Sequence, residues 1–249
     1  MLVTATTVDA ACPTQEVVRM RVRFAKQGDL RFASHRDLLR VIERLFRRAE
    51  VAVRQSEGFH PKPRLMFPSA LALGITGQDE VFEVDLLRPW QPAELLARLS
   101  AETPPGLALL AAEFVPPGSK KAQASRLCYE LALPAERVAQ ASRAVDRVNA
   151  ADSLLTQRQG REAAVDLKAT LEELTVCQGV LRMTLRAIHT AHARPRDILE
   201  VLELADLEFS GSLVRSRVEL APSRLGHVEQ DQSKQSNIEQ DKASNETAF

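Results

Sequence analysis

Two stretches near the start of the chain decide its fold class: Val17-Val-Arg-Met-Arg-Val-Arg-Phe-Ala25 and, shortly after it, Ser34-His-Arg-Asp-Leu-Leu-Arg-Val-Ile-Glu-Arg-Leu-Phe-Arg-Arg-Ala-Glu50. In the first, Met20, Val22 and Phe24 alternate with Arg19, Arg21 and Arg23, and a period of two predicts a strand with one apolar face. In the second, Ser34 is placed to cap a helix running to about Glu50, with Asp37 in the capping-box position. On a helical wheel Leu38, Leu39, Ile42, Leu45, Phe46 and Ala49 fall within an arc of about 120°, and Arg36, Arg40, Arg44 and Arg47 within about 80° on the far side. A half-apolar strand followed by an amphipathic helix is the opening of an α+β domain.

The pattern continues outward from this pair. Val51–Arg54 and Arg64–Leu73 offer extended pieces around a Gly/Pro-rich loop, Glu80–Leu87 alternates again, Gln91–Ala101 is helical after Pro92, and Leu107–Val115 is an apolar strand. Two prolines, a glycine and two lysines around residues 116–125 mark a linker. Beyond it the order repeats: a strand at Leu127–Leu133, a helix at Ala135–Ala150, strands at Ala163–Leu171 and Val180–Ile188 with a further extended piece near Thr175, a helix from Pro195 to about Leu204, and a strand at Ser212–Leu220. The predicted fold is therefore α+β, two consecutive ferredoxin-like (βαββαβ) lobes arising by duplication, at residues 17–115 and 126–220. Each lobe is expected to form its own sheet with helices on one face. Residues 1–16 and 221–249 have the composition of disordered ends.

The 249 residues are 45% hydrophobic and 27% charged, which excludes a wholly disordered chain, and 33 basic side chains balance 33 acidic ones. That zero hides an asymmetry. Residues 17–66 carry 13 Lys/Arg against 5 Asp/Glu, a credible footprint for phosphate. If the first strand lies antiparallel beside Glu80–Leu87, however, Glu83 and Asp85 can neutralise Arg19, Arg21 or Arg23 across strands. The helical stripe has only Asp37 and Glu43 nearby, neither inside its arc, and reads equally as an anion-binding face or a solvated one.

The segment Gln55-Ser-Glu-Gly-Phe-His-Pro-Lys-Pro-Arg64 is the densest unusual stretch. Gly58 permits positive φ and Pro61 and Pro63 stiffen the backbone, so Phe59 and His60 are held beside Lys62 and Arg64 on a loop suited to binding. His60 can donate a proton, stack, or bond within its loop. His35, at the first helical position, can be a packed histidine or line a cleft near that loop. His189 and His192 are three apart with no carboxylate or thiol close by, a poor metal set. Cys12, Cys128 and Cys177 are too far apart for a disulfide framework, a zinc site or a self-contained iron–sulfur site, so no metal or cofactor is expected on this chain, and a reducing cytoplasmic setting fits. No run approaches the length of a membrane helix, and no phosphate-loop, dinucleotide-binding, serine-hydrolase or zincin motif occurs.

Several of these stretches together resemble one known family. Phe24-Ala-Lys-Gln-Gly-Asp-Leu-Arg-Phe-Ala-Ser-His-Arg-Asp-Leu-Leu-Arg40, Phe46-Arg-Arg-Ala49, Gln55-Ser-Glu-Gly-Phe-His-Pro-Lys-Pro63 and Ala70-Leu-Ala-Leu-Gly74 are similar to the radical-SAM-linked protein family, as are Asp166-Leu-Lys168, Gly179-Val-Leu-Arg-Met183 and Arg194-Pro-Arg-Asp-Ile-Leu199. The similarity spans about residues 17–220 in order. It implies association: members are encoded beside, or fused to, a radical SAM protein with a cobalamin-type domain, and some lie near ribonuclease and ribosomal protein genes. The matching polar positions are Ser34, His35, Asp37, Arg40, Arg47, Arg48, Ser56, His60, Arg194 and Arg217; where the family often has asparagine before the first loop proline, this chain has His60.

The functional expectation is an accessory protein of a radical SAM enzyme that presents an RNA or RNA-linked substrate, with the iron–sulfur cluster and S-adenosylmethionine on the partner. Its expected binding residues are Ser34, His35, Arg36, Arg40, Arg47, Arg48, Ser56, Phe59, His60, Lys62, Arg64 and Arg194. Two alternatives stand beside it: an RNA-processing enzyme using His35 and His60 as an acid/base pair, and a purely structural interaction module. Close approach of the two imidazoles would favour the enzyme.

Overall fold

The computed structural model describes residues 17–158, 164–188, 193–208, 210 and 212–222. The first half runs β1 (Val18–Lys26), α1 (His35–Arg48), β2 (Leu65–Met66), β3 (Thr76–Leu86), α2 (Pro92–Ser100) and β4 (Leu107–Phe114). The second runs β5 (Ala124–Ala132), α3 (Ala135–Ala150), β6 (Leu155–Thr156), β7 (Val165–Asp166), β8 (Leu171–Cys177), β9 (Val180–Arg186), α4 (Pro195–Val201) and β10 (Leu213–Leu220).

The protein is a mixed α+β structure built on a mostly antiparallel sheet. Instead of the two separate sheets the sequence suggested, one eight-stranded sheet runs β4-β1-β3-β10-β5-β9-β8, with β2 on β3; β6 and β7 pair apart from it. Within the first half the order is β4-β1-β3-β2 and within the second β10-β5-β9-β8. The join is made by the early residues of β3, which extends N-terminal to the alternating segment at Glu80. There Thr76 and Gly77 pair in parallel with Val214 and Arg215. Every other neighbouring pair is antiparallel.

Three local expectations are corrected. The strand expected over Ala163–Leu171 is, in its described part, a two-residue strand and a 3₁₀ turn. The Asp166 carboxylate accepts from the Leu154 and Lys168 amides at 2.9 and 3.0 Å and turns the chain. The ladder strand is β8 instead, joined to β9 through Gln178 and Gly179 at φ 51° and 75°, a two-residue turn whose left-handed sense suits a hairpin. Of Arg64–Leu73 only Leu65–Met66 is strand. The last helix stops at Val201, and Glu203 adopts φ 58° in the turn after it.

Two apolar clusters fill the helix-covered face. In the first half Met20, Val22, Phe24, Phe82 and Val84 meet Ile42, Leu45 and Phe46 of α1 and Leu95 and Leu99 of α2. In the second, Leu127, Leu131, Leu181, Met183 and Leu185 meet Ala144, Val145 and Val148 of α3 and Ile198 and Leu199 of α4. Between them the register sets Lys26, Gly77, Arg215 and Tyr129 in one cross-strand row. Direct partners share a face, so this row puts the helices of both halves on the same side.

That row is polar and buried. Lys26, Glu80 and Arg215 are 1%, 2% and 1% exposed. A Cβ on Gly77 would lie 2.6 Å from Cγ of Glu80; the Glu80 carboxyl takes the space a side chain there would fill. Arg215 donates to both its oxygens, through Nε at 2.7 Å, and also to Ser69 Oγ and the Ala70 carbonyl at 3.1 Å each. Lys26 Nζ donates to the Ala33 carbonyl at 2.8 Å. Burial lowers the Lys26 pKa, and Arg215 adds to that effect against the pull of Glu80. Burial alone would lower Arg215 as well, but hydrogen bonds and charge from Glu80 outweigh it and hold the guanidinium ionised. Tyr129, fully enclosed, is raised by burial.

Cys128 is half-buried and Cys177 exposed, both as free thiols. Among the described residues no group of three His, Cys, Asp or Glu side chains is placed to hold a metal ion, and no helix is long and apolar enough to cross a membrane. Cys12, His189 and His192 lie outside the described residues.

Candidate functional site

The loop between α1 and β2 is closed at its neck. Gln55 bridges Pro63, the Ser56 amide donates to the Lys62 carbonyl at 2.7 Å, and the Lys62 amide donates to Ser56 Oγ at 3.0 Å. Gly58 sits at φ 122°, where a side chain would be strained. The tied neck pushes residues 57–61 outward, and Phe59 at the tip is 101% exposed. An ordered loop thus holds a phenyl ring wholly in water with His60 and Lys62 exposed beside it.

The arginines of α1 reach the same place. Ser34 caps the helix, accepting from the Asp37 amide at 3.2 Å and donating to its carboxylate at 2.6 Å. The bond from Ser34, together with Arg40, holds the Asp37 carboxyl below its ordinary range. Arg40 pairs with Asp37 at 3.2 Å, and Arg48 is taken by Glu102, its carboxylate at 3.6 Å and its carbonyl. Among the described residues Arg36, Arg44 and Arg47 have no ion-pair partner, and all three are exposed. A groove of about 530 Å³ runs between the helix and the loop neck, lined by Arg40, Arg44, Arg47, Gln55 and Pro63 and by one carboxylate, Glu43. Three arginines of the helical stripe and the neck of the loop, separate in sequence, line one groove with three cations and one carboxylate.

The remaining candidates fall elsewhere. His35 is half-buried, its ring edge-on to Phe67 with centroids 5.1 Å apart, and burial followed by the Lys26 charge lowers its pKa. Among the described residues no hydrogen bond or ring contact joins it to His60. Arg64 is exposed on the other side of the loop neck, where it and Ser56 line a second cavity. Arg194 lies in the second half and caps α4: its amide and guanidinium bond the carboxylate of Asp197, which also binds Arg158 at 2.6 Å. Burial would raise Asp197, but the bonds from Arg194 and Arg158 keep it low. Arg217 forms a long ion pair with Asp79, at 3.9 Å.

Arg19 and Arg21 pair with the expected carboxylates, and Arg23 turns instead to Asp79. Arg19 bonds Asp85 at 3.1 Å, Arg21 bonds Glu83 and Glu113 at 2.9 Å, and Arg23 bonds Asp79 at 2.7 Å. Sequence reasoning passed over the Lys26–Glu80–Arg215 cluster. One signal was present: Lys26 continues the parity of Met20, Val22 and Phe24, a cation in register with a buried face.

A family model described as an uncharacterised protein conserved in bacteria (DUF2344) matches residues 19–195. The chain belongs to this family. The DUF2344 match runs from β1 through the first residue of α4, so it contains the basic groove and the loop bearing Phe59. No curated protein matches the chain. Among solved structures, that of an unknown protein from Galdieria sulphuraria aligns with 84% of this chain and 99% of its own at 13% identity and a TM-score of 0.24. At those values the likeness bears on neither the fold nor the function of this DUF2344 protein.

Proposed function

We propose that this protein is a non-catalytic accessory that presents an RNA or RNA-linked substrate to a radical SAM enzyme. The observation that carries the RNA reading is Phe59, fully exposed on a tied loop whose neck lines a groove with Arg44 and Arg47, which have no ion-pair partner among the described residues. Single-stranded RNA offers what such a surface lacks: phosphates for the guanidiniums and a base face for the phenyl ring. The radical SAM partner is taken from the family resemblance; the cluster and S-adenosylmethionine would sit on that partner, in the cytoplasm. We also infer that the two halves, residues 17–115 and 126–220 about the linker 116–125, are ferredoxin-like units from one duplication, since their strand orders correspond.

The test is a fluorescence titration of a labelled single-stranded RNA of about ten nucleotides at low salt. It is run with the full chain alone and mixed with a radical SAM protein of the kind the family resemblance implies. Saturable binding that weakens steeply with salt is expected. No binding in either arm would overturn the RNA reading and leave an interaction module in its place.

A further inference from the structure

The helix-free face of the first half carries a second feature. Two adjoining cavities of about 620 and 350 Å³ share Arg19, Arg64 and Asp85 and so form one cleft. Its floor is β1 and the end of β3. One wall is apolar, made by Val17, Phe114, Pro116 and Pro117, with Phe114 46% exposed. The other wall is cationic, made by Arg54 and Arg64 at the stem of the Phe59 loop, with Lys121 across from them.

Charge accounting decides what the cleft can hold. Its two carboxylates are spent: Asp85 binds Arg19 at 3.1 Å, and Glu83 binds Arg21 at 2.9 Å and the Ala122 amide at 3.2 Å. Arg54 has only Glu57, at 3.9 Å and 90% exposed, and among the described residues Arg64 and Lys121 have no ion-pair partner. The stem fixes the backbone from which the two side chains spring, because Arg54 and Arg64 are bonded through their main chains to each other and to Asp85 at 2.8–3.2 Å. Ser119 is a third, independent sign. It lines the larger cavity at 9% exposure, and its Oγ is buried without a hydrogen-bond partner. A buried hydroxyl left unpaired is costly, and a polar ligand in the cleft would satisfy it.

Excess cations on one wall, an apolar opposite wall and a spare hydroxyl define an anion attached to a flat body. The volume lies in the range of small-ligand sites, and paired guanidiniums suit the oxygens of a phosphate. We propose that this cleft binds a phosphomonoester on a planar body, a nucleoside monophosphate, with its phosphate on Arg54 and Arg64 and its base against Phe114 and the proline turn. The inference deepens the RNA reading: because Arg54 and Arg64 are the stem of the Phe59 loop, the same nucleotide can be the phosphorylated end of a strand running across the basic groove.

Isothermal titration of the full chain with AMP, GMP, CMP and UMP tests the site, alongside a short RNA bearing a 5′-phosphate and its 5′-hydroxyl counterpart. Saturable binding of at least one mononucleotide is expected. The R54Q/R64Q variant, two solvent-reaching changes, is expected to weaken it at least about tenfold with the thermal midpoint unchanged. Arg47→Gln, on the other face, should leave mononucleotide binding intact. A phosphorylated RNA that binds at least about tenfold tighter than its hydroxyl counterpart and is displaced by mononucleotide identifies the strand end as the source. Equal binding of the two RNAs with mononucleotide still bound identifies a free nucleotide. If no mononucleotide and no 5′-phosphate preference is detected, or if R54Q/R64Q binds as the parent does, the proposal falls. These outcomes are separable from the RNA reading, which fails through loss of groove binding whether or not mononucleotides bind.

Discussion

The chain has two rows of arginines, and they meet opposite fates. On β1 the alternation places Arg19, Arg21 and Arg23 on one face, and the neighbouring strand supplies Asp85, Glu83 and Asp79 at 2.7–3.1 Å. On α1 the helical period sets Arg36 beside Arg40, Arg40 beside Arg44 and Arg44 beside Arg47, while Asp37 and Glu43 offset part of that charge at Arg40 and Arg47. Like charges at that spacing repel by a few tenths of a kcal/mol per pair. The strand row is a stitched sheet surface. The helix row keeps a repulsion that a polyanion would relieve. Basic composition alone does not mark a binding face; a basic row that folding leaves only partly paired does.

The largest effect expected from this contrast concerns the buried counterpart of the surface pairs. Glu80→Gln would strand Arg215 and Lys26 as buried cations at the junction of the two halves, and removing one partner of such a pair costs about 3–5 kcal/mol. Arg23→Gln, which breaks a partly exposed pair with Asp79, is expected to cost about 1 kcal/mol or less. Urea unfolding of both variants measures the ratio. Comparable losses would mean that the Glu80 cluster is no more a keystone than the strand row.

Next in size is the loop. Phe59→Ala should weaken single-stranded RNA binding by about 1–3 kcal/mol if a base stacks on the ring. Folding stability should change by less than about 0.5 kcal/mol, because the ring buries nothing within the chain. A stability loss without a binding loss would place the ring in a structural role.

How legible this was in the sequence follows from which interactions are local. The strand and helix of residues 18–48 could be read because period and cap lie within the segment, and the cross-strand pairing of Arg19 and Arg21 followed once two neighbouring strands were assumed. The tip of the loop was legible from Gly58, Pro61 and Pro63. The joining of the halves was not, since it depends on Thr76 and Gly77 meeting Val214 and Arg215 across more than a hundred residues. Nor was the break before β8, of which only an extended piece near Thr175 could be read, because Asp166 turns the chain through backbone bonds that no hydrophobic period records. The groove could be proposed only as two separate pieces: the stripe and the loop are brought together by the packing of α1 on the sheet.

A pH dependence tests the edge of the buried cluster. Burial and the Lys26 charge keep the His35 pKa below its ordinary value near 6.5. The unfolded chain therefore takes up this proton at a higher pH than the folded chain does. The His35 contribution to stability is level above about pH 7, declines as the pH falls through the ordinary value, and levels off again below the folded one. Urea midpoints across pH 8 to 5, compared between the parent and His35→Gln, should show the variant losing less stability on acidification. Parallel curves would mean that His35 titrates normally.

The smallest effect in stability carries the most information about the comparison. Replacing Arg44 and Arg47 by Gln removes two charges from a self-repelling row and leaves the apolar arc of Leu38, Ile42, Leu45 and Phe46 intact, and Gln is a good helix former. The helix should be unchanged or more stable by about 0.2–0.5 kcal/mol for each repulsive pair removed. RNA binding should weaken alike for all sequences, with the log–log salt slope falling by roughly 0.7 for each phosphate of a single strand that is no longer neutralised. The same change made on β1 away from the Arg54 and Arg64 cleft, Arg23→Gln, should leave the salt slope alone, because Asp79 already occupies that guanidinium. Slope loss confined to the helix variants would mean that counter-charge, not arginine content, separates the two rows. Equal slope loss from both sets would mean that RNA reaches across the sheet and that the distinction between the rows is wrong.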